Sequence, residues 1–253
     1  MEKKRNIYFA SDAHFGLSGH SESLPREKLF TEWLQSVRHD ACEIYLLGDI
    51  FDFWFEYKRV VPRGFTRLLG KIAEITDSGI PVHFFTGNHD IWVFDYLPAE
   101  TGMIIHRKPC TVELSGKKFY LAHGDGIGKN DKGFRILKRI FTNRMLQRIF
   151  SFLHPNFSVW LAHKWSHSSR YSKDLIIPYR GDDKEEQVIF ANQKIDREHF
   201  DFFVFGHRHI PFDVLLKNGT SRRINLGDWL SHFTYARFDG KDLKIVKYKN
   251  SST

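Results

Sequence analysis

Ile7-Tyr8-Phe9-Ala10-Ser11-Asp12-Ala13-His14 is the stretch on which the reading of the chain turns. A short apolar, β-rich run stops, and two side chains that commonly ligate metals follow it. The same arrangement recurs four times, in order. Ile44-Tyr45-Leu46-Leu47 precedes Gly48-Asp49, and Val82-His83-Phe84-Phe85 precedes Gly87-Asn88-His89-Asp90. Phe119-Tyr120-Leu121-Ala122 precedes His123-Gly124-Asp125, and Phe202-Phe203-Val204-Phe205 precedes Gly206-His207-Arg208-His209. Side chains placed just past strand ends project from one rim of a sheet, where open α/β folds bind ligands. Asp12, His14, Asp49, Asn88, His123, His207 and His209 together offer oxygen and nitrogen donors for two hard or borderline cations sharing one bridging carboxylate. The set holds no thiolate, which argues against a structural zinc knot or an iron–sulfur cluster.

A chain of 253 residues with 42% apolar content can bury one large core or two modest ones. Charged residues at 27%, with ordinary glycine and proline, exclude disordered and fibrous classes. Cys42 and Cys110, both beside expected strands, read as buried thiols outside any disulfide and suit a reducing compartment. The segment Met1–Asp12 lacks the run of about seven to fifteen apolar residues of a secretory signal, and no stretch approaches the roughly 20 needed to span a bilayer. The expectation is a cytoplasmic protein, or one peripheral on the cytosolic face of a membrane.

The net charge of +8 is unevenly placed. Residues 127–175 carry ten basic side chains against two acidic ones, Asp131 and Asp174, while the rest of the chain carries 28 of each sign. Within this segment Phe134, Leu137, Ile140, Phe141, Met145, Leu146, Ile149, Phe150 and Leu153 recur at helical spacing until Pro155, and Phe157, Val159, Trp160 and Leu161 resume the pattern. A basic amphipathic helix reads as an element for a membrane surface or an acidic ligand. The plainer reading is a helical cover packing its apolar stripe on the core.

Elsewhere the pattern predicts strands over 6–11, 43–47, 82–86 and 202–205, and helices over 26–38, 64–78 and 185–198. Hairpins are expected at 110–122, turning at Ser115-Gly116, and around Lys217-Asn218-Gly219 and Asp239-Gly240. Alternating strands and helices give way to antiparallel strands, which suits an α/β, two-sheet sandwich flanked by helices. No internal repeat or low-complexity tract is present.

The five blocks, spanning residues 9 to 209, resemble the calcineurin-like metallophosphoesterase superfamily. That resemblance implies a four-layer αββα fold, here with a helical lid insertion: residues 1–126 and 176–253 as the core, and 127–175 as the lid. It also implies that Asp12, His14, Asp49 and His209 hold one metal and Asp49, Asn88, His123 and His207 the other, with Asp49 bridging. Manganese fits such ligation, with iron and zinc as alternatives. Asp52, Asp90 and Asp125 are expected to orient the ligands from behind. Asn88 and His89 are the expected catalytic residues, His89 protonating the leaving oxygen or steadying the phosphate.

Gly48-Asp49-Ile50-Phe51-Asp52-Phe53-Trp54, the helical insertion after His123-Gly124-Asp125, and Ser172-Lys173 resemble a narrower family, the UDP-2,3-diacylglucosamine diphosphatases of the lipid A pathway. The resemblance implies hydrolysis of that nucleotide-linked lipid to UMP and a diacylglucosamine 1-phosphate, at the inner membrane's cytosolic face. It places substrate contacts at Asn88, Asp131, Ser166, Arg170, Lys173 and His207. The chain departs from that family in two places. His89 stands where the family has Arg, and the loop Gly126–Asp131 keeps one of two acids common there. A soluble phosphodiesterase, phosphatase or nuclease of the same superfamily is the alternative enzyme, and a basic nucleic-acid-binding module the alternative of another class. No nucleic-acid motif accompanies the basic segment, so no nucleic-acid partner is expected.

Overall fold

The computed structural model describes residues 5–17, 19–128, 132–161, 164 and 178–248. The first sheet is built from β1 (Asn6–Ala10), β2 (Ala41–Leu46), β3 (Val82–Phe85), β4 (Ile104–His106), β10 (Thr234–Phe238) and β11 (Leu243–Lys247), in the order β11-β10-β1-β2-β3-β4. The second contains β5 (Cys110–Leu114), β6 (Lys117–Ala122), β7 (Phe202–Phe205), β8 (Pro211–Leu215) and β9 (Arg222–Leu226), in the order β5-β6-β7-β9-β8. β1, β2, β3 and β4 run parallel, as do β6, β7 and β9, so the ends of these strands gather at one rim in each sheet.

Period-two side-chain alternation sorts the core into layers. Ile7, Phe9, Tyr45, Leu47, Phe85, Phe119, Leu121, Phe202 and Val204 meet between the sheets. Their neighbours Tyr8, Ala10, Ile44, Leu46, Val82 and Phe84 face outward, against Phe30, Trp33 and Leu34 of α1 (His20–Val37) and Leu68, Ile72 and Ile75 of α2 (Thr66–Asp77). On the second sheet's outer face, Tyr120, Phe203 and Phe205 pack with Val188 and Ala191 of the helix Glu186–Ile195. The result is helix, sheet, sheet, helix.

Most boundaries lie within a few residues of the sequence expectation, and the Ser115-Gly116 turn has both residues at positive φ (49° and 77°), as a tight hairpin of this hand requires. Helix α1 differs. It begins at His20 rather than 26, running through Pro25. So near the N-terminus, proline leaves one helical bond unmade, to the Ser21 carbonyl, and the buried face from Phe30 to Val37 supports the rest. α3 (Tyr96–Thr101) and β4 are too short to show a period in sequence. Cys42 and Cys110 are half-buried rather than buried and form no disulfide.

Between β6 and the helix Glu186–Ile195 the described residues include α4 (Lys132–Phe141), α5 (Arg144–Phe150) and a helical stretch at 155–161. The apolar stripe divides here. Phe150 packs against Phe55 and Trp92 at ring distances of 4.9 and 4.7 Å, and Phe141 against Trp92 at 5.3 Å. Ile136, Met145, Ile149 and Phe152 are instead 54–82% exposed.

Phe9 ties the two sheets together, stacking on Tyr45 of its own sheet (5.2 Å) and on Phe119 of the other (5.9 Å) with no solvent exposure. Phe9→Ala is expected to cost about 3–5 kcal/mol of unfolding free energy in a urea titration followed by circular dichroism. Leu215→Ala, at a side chain 58% exposed, should stay within about 0.5 kcal/mol of wild type.

Candidate metal centre

The five blocks converge at the strand-end rim. Backbone bonds lace them together: Asp12 and His14 amides donate to the Gly48 and Asp49 carbonyls (3.1 and 2.9 Å), Gly206 N to His123 O (2.9 Å), and Trp229 N to Asp12 O (3.1 Å). Asp12, His14, Asp49, His207 and His209 all sit in the left-handed region, with φ between 45° and 70°. Each such non-glycine residue stores roughly 1–3 kcal/mol, a conformation kept only where the surroundings over-determine it. Glycine is obligatory beside them. A Cβ at Gly87 would lie 2.1 Å from Asp49 Oδ1, and one at Gly206 would lie 2.4 Å from Asp12 Oδ2.

The donor atoms form three overlapping groups, Asp12–His14–His209, His14–Asp49–His89 and Asp49–His123–His207, each with its atoms within 4.8 Å. His14 Nε2 faces His209 Nε2 at 3.3 Å, and Asp12 Oδ1 lies 3.6 Å from the latter. His123 Nε2 is 3.3 Å from both Asp49 Oδ2 and Asn88 Oδ1, while His14 Nε2 is 3.7 Å from Asp49 Oδ2. Donors bound at about 2.1 Å to one octahedral cation lie about 3 Å apart, so these spacings fit shared cations. The hard oxygen and imidazole donors suit divalent ions, and Asp49 is the carboxylate shared by the second and third of these groups.

Behind the donors stand groups that fix them. His123 Nδ1 pairs with Leu47 O at 2.8 Å. The Asp52 carboxylate is 3.7 Å from His14 Nδ1 and 3.6 Å from His89 Nδ1, and the Asp52 carbonyl accepts from His89 Nδ1 at 3.0 Å. Asp90 accepts the Gly87, Ile50 and Phe51 amides at 2.7, 2.9 and 3.4 Å, and so binds block to block instead of meeting a ligand side chain. Asp125 takes its described hydrogen bond from Lys138 Nζ of α4, at 2.6 Å. Asp131, Ser166, Arg170 and Lys173 lie outside the described residues.

Asp228 is a site residue the sequence reading passed over. Its Oδ2 lies 3.6 Å from His209 Nδ1, and its Oδ1 accepts the Ser231 and His232 amides at 2.8 Å each. The signal was present: Ile224-Asn225-Leu226-Gly227-Asp228 repeats the strand–Gly–Asp pattern of block two.

Burial and neighbouring charge set the protonation of the cluster. Burial pushes the Asp49 carboxyl up, but His123, His89 and His14 outweigh it and hold the group well below the usual carboxylate range. Burial dominates at Asp12, which is raised against the pull of His209 and His123. His123 is pushed up to about 10, because Asp49 outweighs the burial that would lower it. His207 is pushed down to about 4 by burial and by His123, which keeps its ring neutral and able to ligate. Burial and the nearby Asp49 charge raise Asp90 to about 7.

Residues 5–211 match the family model for calcineurin-like phosphoesterases. The chain is 42% identical to the UDP-2,3-diacylglucosamine hydrolase of Porphyromonas gingivalis, across 96% of this chain and 97% of that one. It is 30% identical to the hydrolase of the same name from Neisseria gonorrhoeae, across 96% and 98%. A hypothetical protein from Pyrococcus horikoshii OT3 shares the fold alone, with a TM-score of 0.50 and 10% identity over 98% of this chain and 89% of that one. With most of its length matched by the family model and nearly all of it by these hydrolases, the chain belongs to the calcineurin-like phosphoesterase family, a family of metal-dependent hydrolases.

Proposed function

We propose that the chain hydrolyses the diphosphate of UDP-2,3-diacylglucosamine, releasing UMP and leaving 2,3-diacylglucosamine 1-phosphate. One observation carries this reading: a chain 42% identical to such a hydrolase over 96% of its length keeps all seven candidate donors together at one rim. In the proposal Asp12, His14, Asp49 and His209 hold one divalent cation, and Asp49, Asn88, His123 and His207 a second. Manganese fits that donor set, as would iron or zinc. Two such cations, when bound, lower the pKa of a shared water and stabilise charge developing on a phosphoryl group.

The protein's own groups do the rest. His89 commits Nδ1–H to the Asp52 carbonyl at 3.0 Å, so Nε2 is the atom left to hold or pass a proton. In its cationic form Nε2–H donates to the leaving oxygen or steadies the phosphate. An apolar cavity of about 450 Å³, lined by Phe15, Phe53, Phe55, Val61, Val159 and Trp160 among others, suits an acyl chain. It adjoins the rim, since Phe15 follows His14 and Phe53 follows Asp52. Residues 127–175 act as the lid, and Asp131, Ser166, Arg170 and Lys173 contact substrate by the family resemblance. Ile136, Met145, Ile149 and Phe152, exposed among basic side chains, support peripheral docking on an anionic inner-membrane surface. No helix among the described residues is long and apolar enough to cross a membrane.

The direct test is mass spectrometry of the products formed from UDP-2,3-diacylglucosamine by manganese-loaded protein in O-18 water. UMP and diacylglucosamine 1-phosphate are expected, with one O-18 in one of them, which identifies the phosphorus attacked. No turnover of this substrate beside brisk cleavage of simple phosphodiesters would transfer the site to a soluble phosphodiesterase role.

His89→Ala should lower kcat by about 10²–10⁴ at unchanged metal content. His89→Arg, the residue of the narrower family, should retain diphosphatase activity. Metal loss from His89→Ala, seen by elemental analysis, would instead make His89 a ligand.

Arg139→Gln, Arg144→Gln and Arg148→Gln combined should weaken co-sedimentation with anionic liposomes by roughly 1 kcal/mol per charge removed, and do so less as salt rises. Equal co-sedimentation of wild type and triple variant would remove the basic face from the docking surface.

A further inference from the structure

Trp92 lies three residues beyond His89, in Gly87-Asn88-His89-Asp90-Ile91-Trp92, and has no place in the chemistry above. Its backbone forms a parallel bridge with Phe55, so it joins the strand-end segment carrying Asp49 and Asp52 to the one carrying Asn88 and His89. Its indole Nε1–H reaches in the other direction, to the Phe141 carbonyl at 2.7 Å. Phe141 is the last residue of α4. Gln147 Nε2 of α5 donates to the same oxygen at 2.8 Å. The turn between α4 and α5 is thereby pinned to the core through one carbonyl. The Trp92 ring is also enclosed on several sides, by Phe53, Phe55, Phe141 and Phe150 at 4.7–6.0 Å. A second tether, Lys138 Nζ to Asp125 Oδ2, joins α4 to the segment that follows His123.

We propose that Trp92 is a positioning residue that clasps the α4–α5 turn to the segments bearing Asp49 and His89, holding a substrate that spans lid and metal centre in register. The proposal rests on the lipid-diphosphate reading for its substrate, but the clasp is a property of the free protein and can be measured without one. A compact phosphodiester reaches only the metal centre and is indifferent to the lid. A substrate with its acyl chains under the lid and its phosphorus at the rim feels any slack between the two.

Trp92→Phe keeps an aromatic ring in the cluster and removes the indole N–H. It should lower kcat for UDP-2,3-diacylglucosamine in micelles about tenfold, the loss expected of one well-made hydrogen bond. KM for that substrate and kcat for bis(p-nitrophenyl) phosphate should change less than about twofold, since neither acyl burial nor the cluster of donors is touched. In hydrogen–deuterium exchange of the metal-loaded protein without substrate, amide protection over residues 142–147 should fall about tenfold, again one hydrogen bond's worth. Equal loss on both substrates would make Trp92 ordinary packing beneath the metal loops and overturn the proposal, as would unchanged exchange in the α4–α5 turn. If wild type cleaves the small diester but not the lipid diphosphate, the substrate reading fails, and the exchange comparison alone decides the clasp.

Discussion

Two carboxylates, Asp12 and Asp49, lie almost without solvent at the rim of a sandwich, and most of the site serves to make that burial tolerable. An unpaired buried carboxylate is costly unless hydrogen bonds or opposite charge compensate it. Here the Ser11 hydroxyl and the His207 amide serve Asp12 at 2.5–3.1 Å, and the His89 amide serves Asp49 at 2.9 Å. The remaining compensation comes from imidazoles: His123 and His209 are both drawn toward their protonated forms by the carboxylates, against the effect of burial. Cations held between these donors would replace protons as the source of positive charge, so metal uptake and proton release would be two sides of one balance. His207, already held neutral, needs no such exchange.

The sandwich is the means by which so much charge is brought together. Parallel pairing gives β1, β2 and β3 in one sheet and β6, β7 and β9 in the other a common direction, so six strand ends address one space. The stacked rings of Tyr45, Phe9 and Phe119 set the two sheets against each other beneath that space. At the top, backbone bonds such as Trp229 N to Asp12 O connect one sheet's loops to the other's. Left-handed backbone at five donor residues then turns their side chains back over the rim. The tight glycines follow from this crowding: Gly87 and Gly206 stand where any side chain would strike Asp49 or Asp12.

What was legible in the sequence is what local chemistry can state. An apolar run ending in Asp, Asn or His announces both a strand and the donor at its tip, and all five such blocks meet in the fold. Asp228 belongs to the same grammar but went unread because Gly227-Asp228 supports His209 from behind, a role that depends on tertiary contact. Asp90 and Asp125 show the converse limit. Their type and position mark them as supporting acids, but only the folded chain shows Asp90 binding three backbone amides and Asp125 paired with a lysine of α4. In the same way, helical spacing gathers Phe141, Ile149 and Phe150 into one stripe. A break at Thr142-Asn143, where Asn143 caps α5, turns Phe141 and Phe150 inward and leaves Ile149 outside.

The proposed division between rim and lid follows from how selectivity can arise. A donor set of this kind is a general device for phosphoryl chemistry, and a fold of this kind supports many such reactions without favouring one. Discrimination must then come from surfaces that touch the substrate away from phosphorus. In this chain the asymmetry of charge and apolar exposure is concentrated there: 127–175 holds the whole net charge of +8, while the remaining residues balance 28 bases with 28 acids. A neutral core around a highly charged site limits non-specific attraction of anions to the body of the protein. A basic, greasy cover would favour molecules that are both anionic and apolar, and among the described residues it is tied to the rim by contacts such as Trp92 with Phe141, Phe150 with Phe55 and Lys138 with Asp125. On the proposal made for Trp92, small changes in those contacts would alter which substrate is held in line for the chemistry while the donors themselves stay the same.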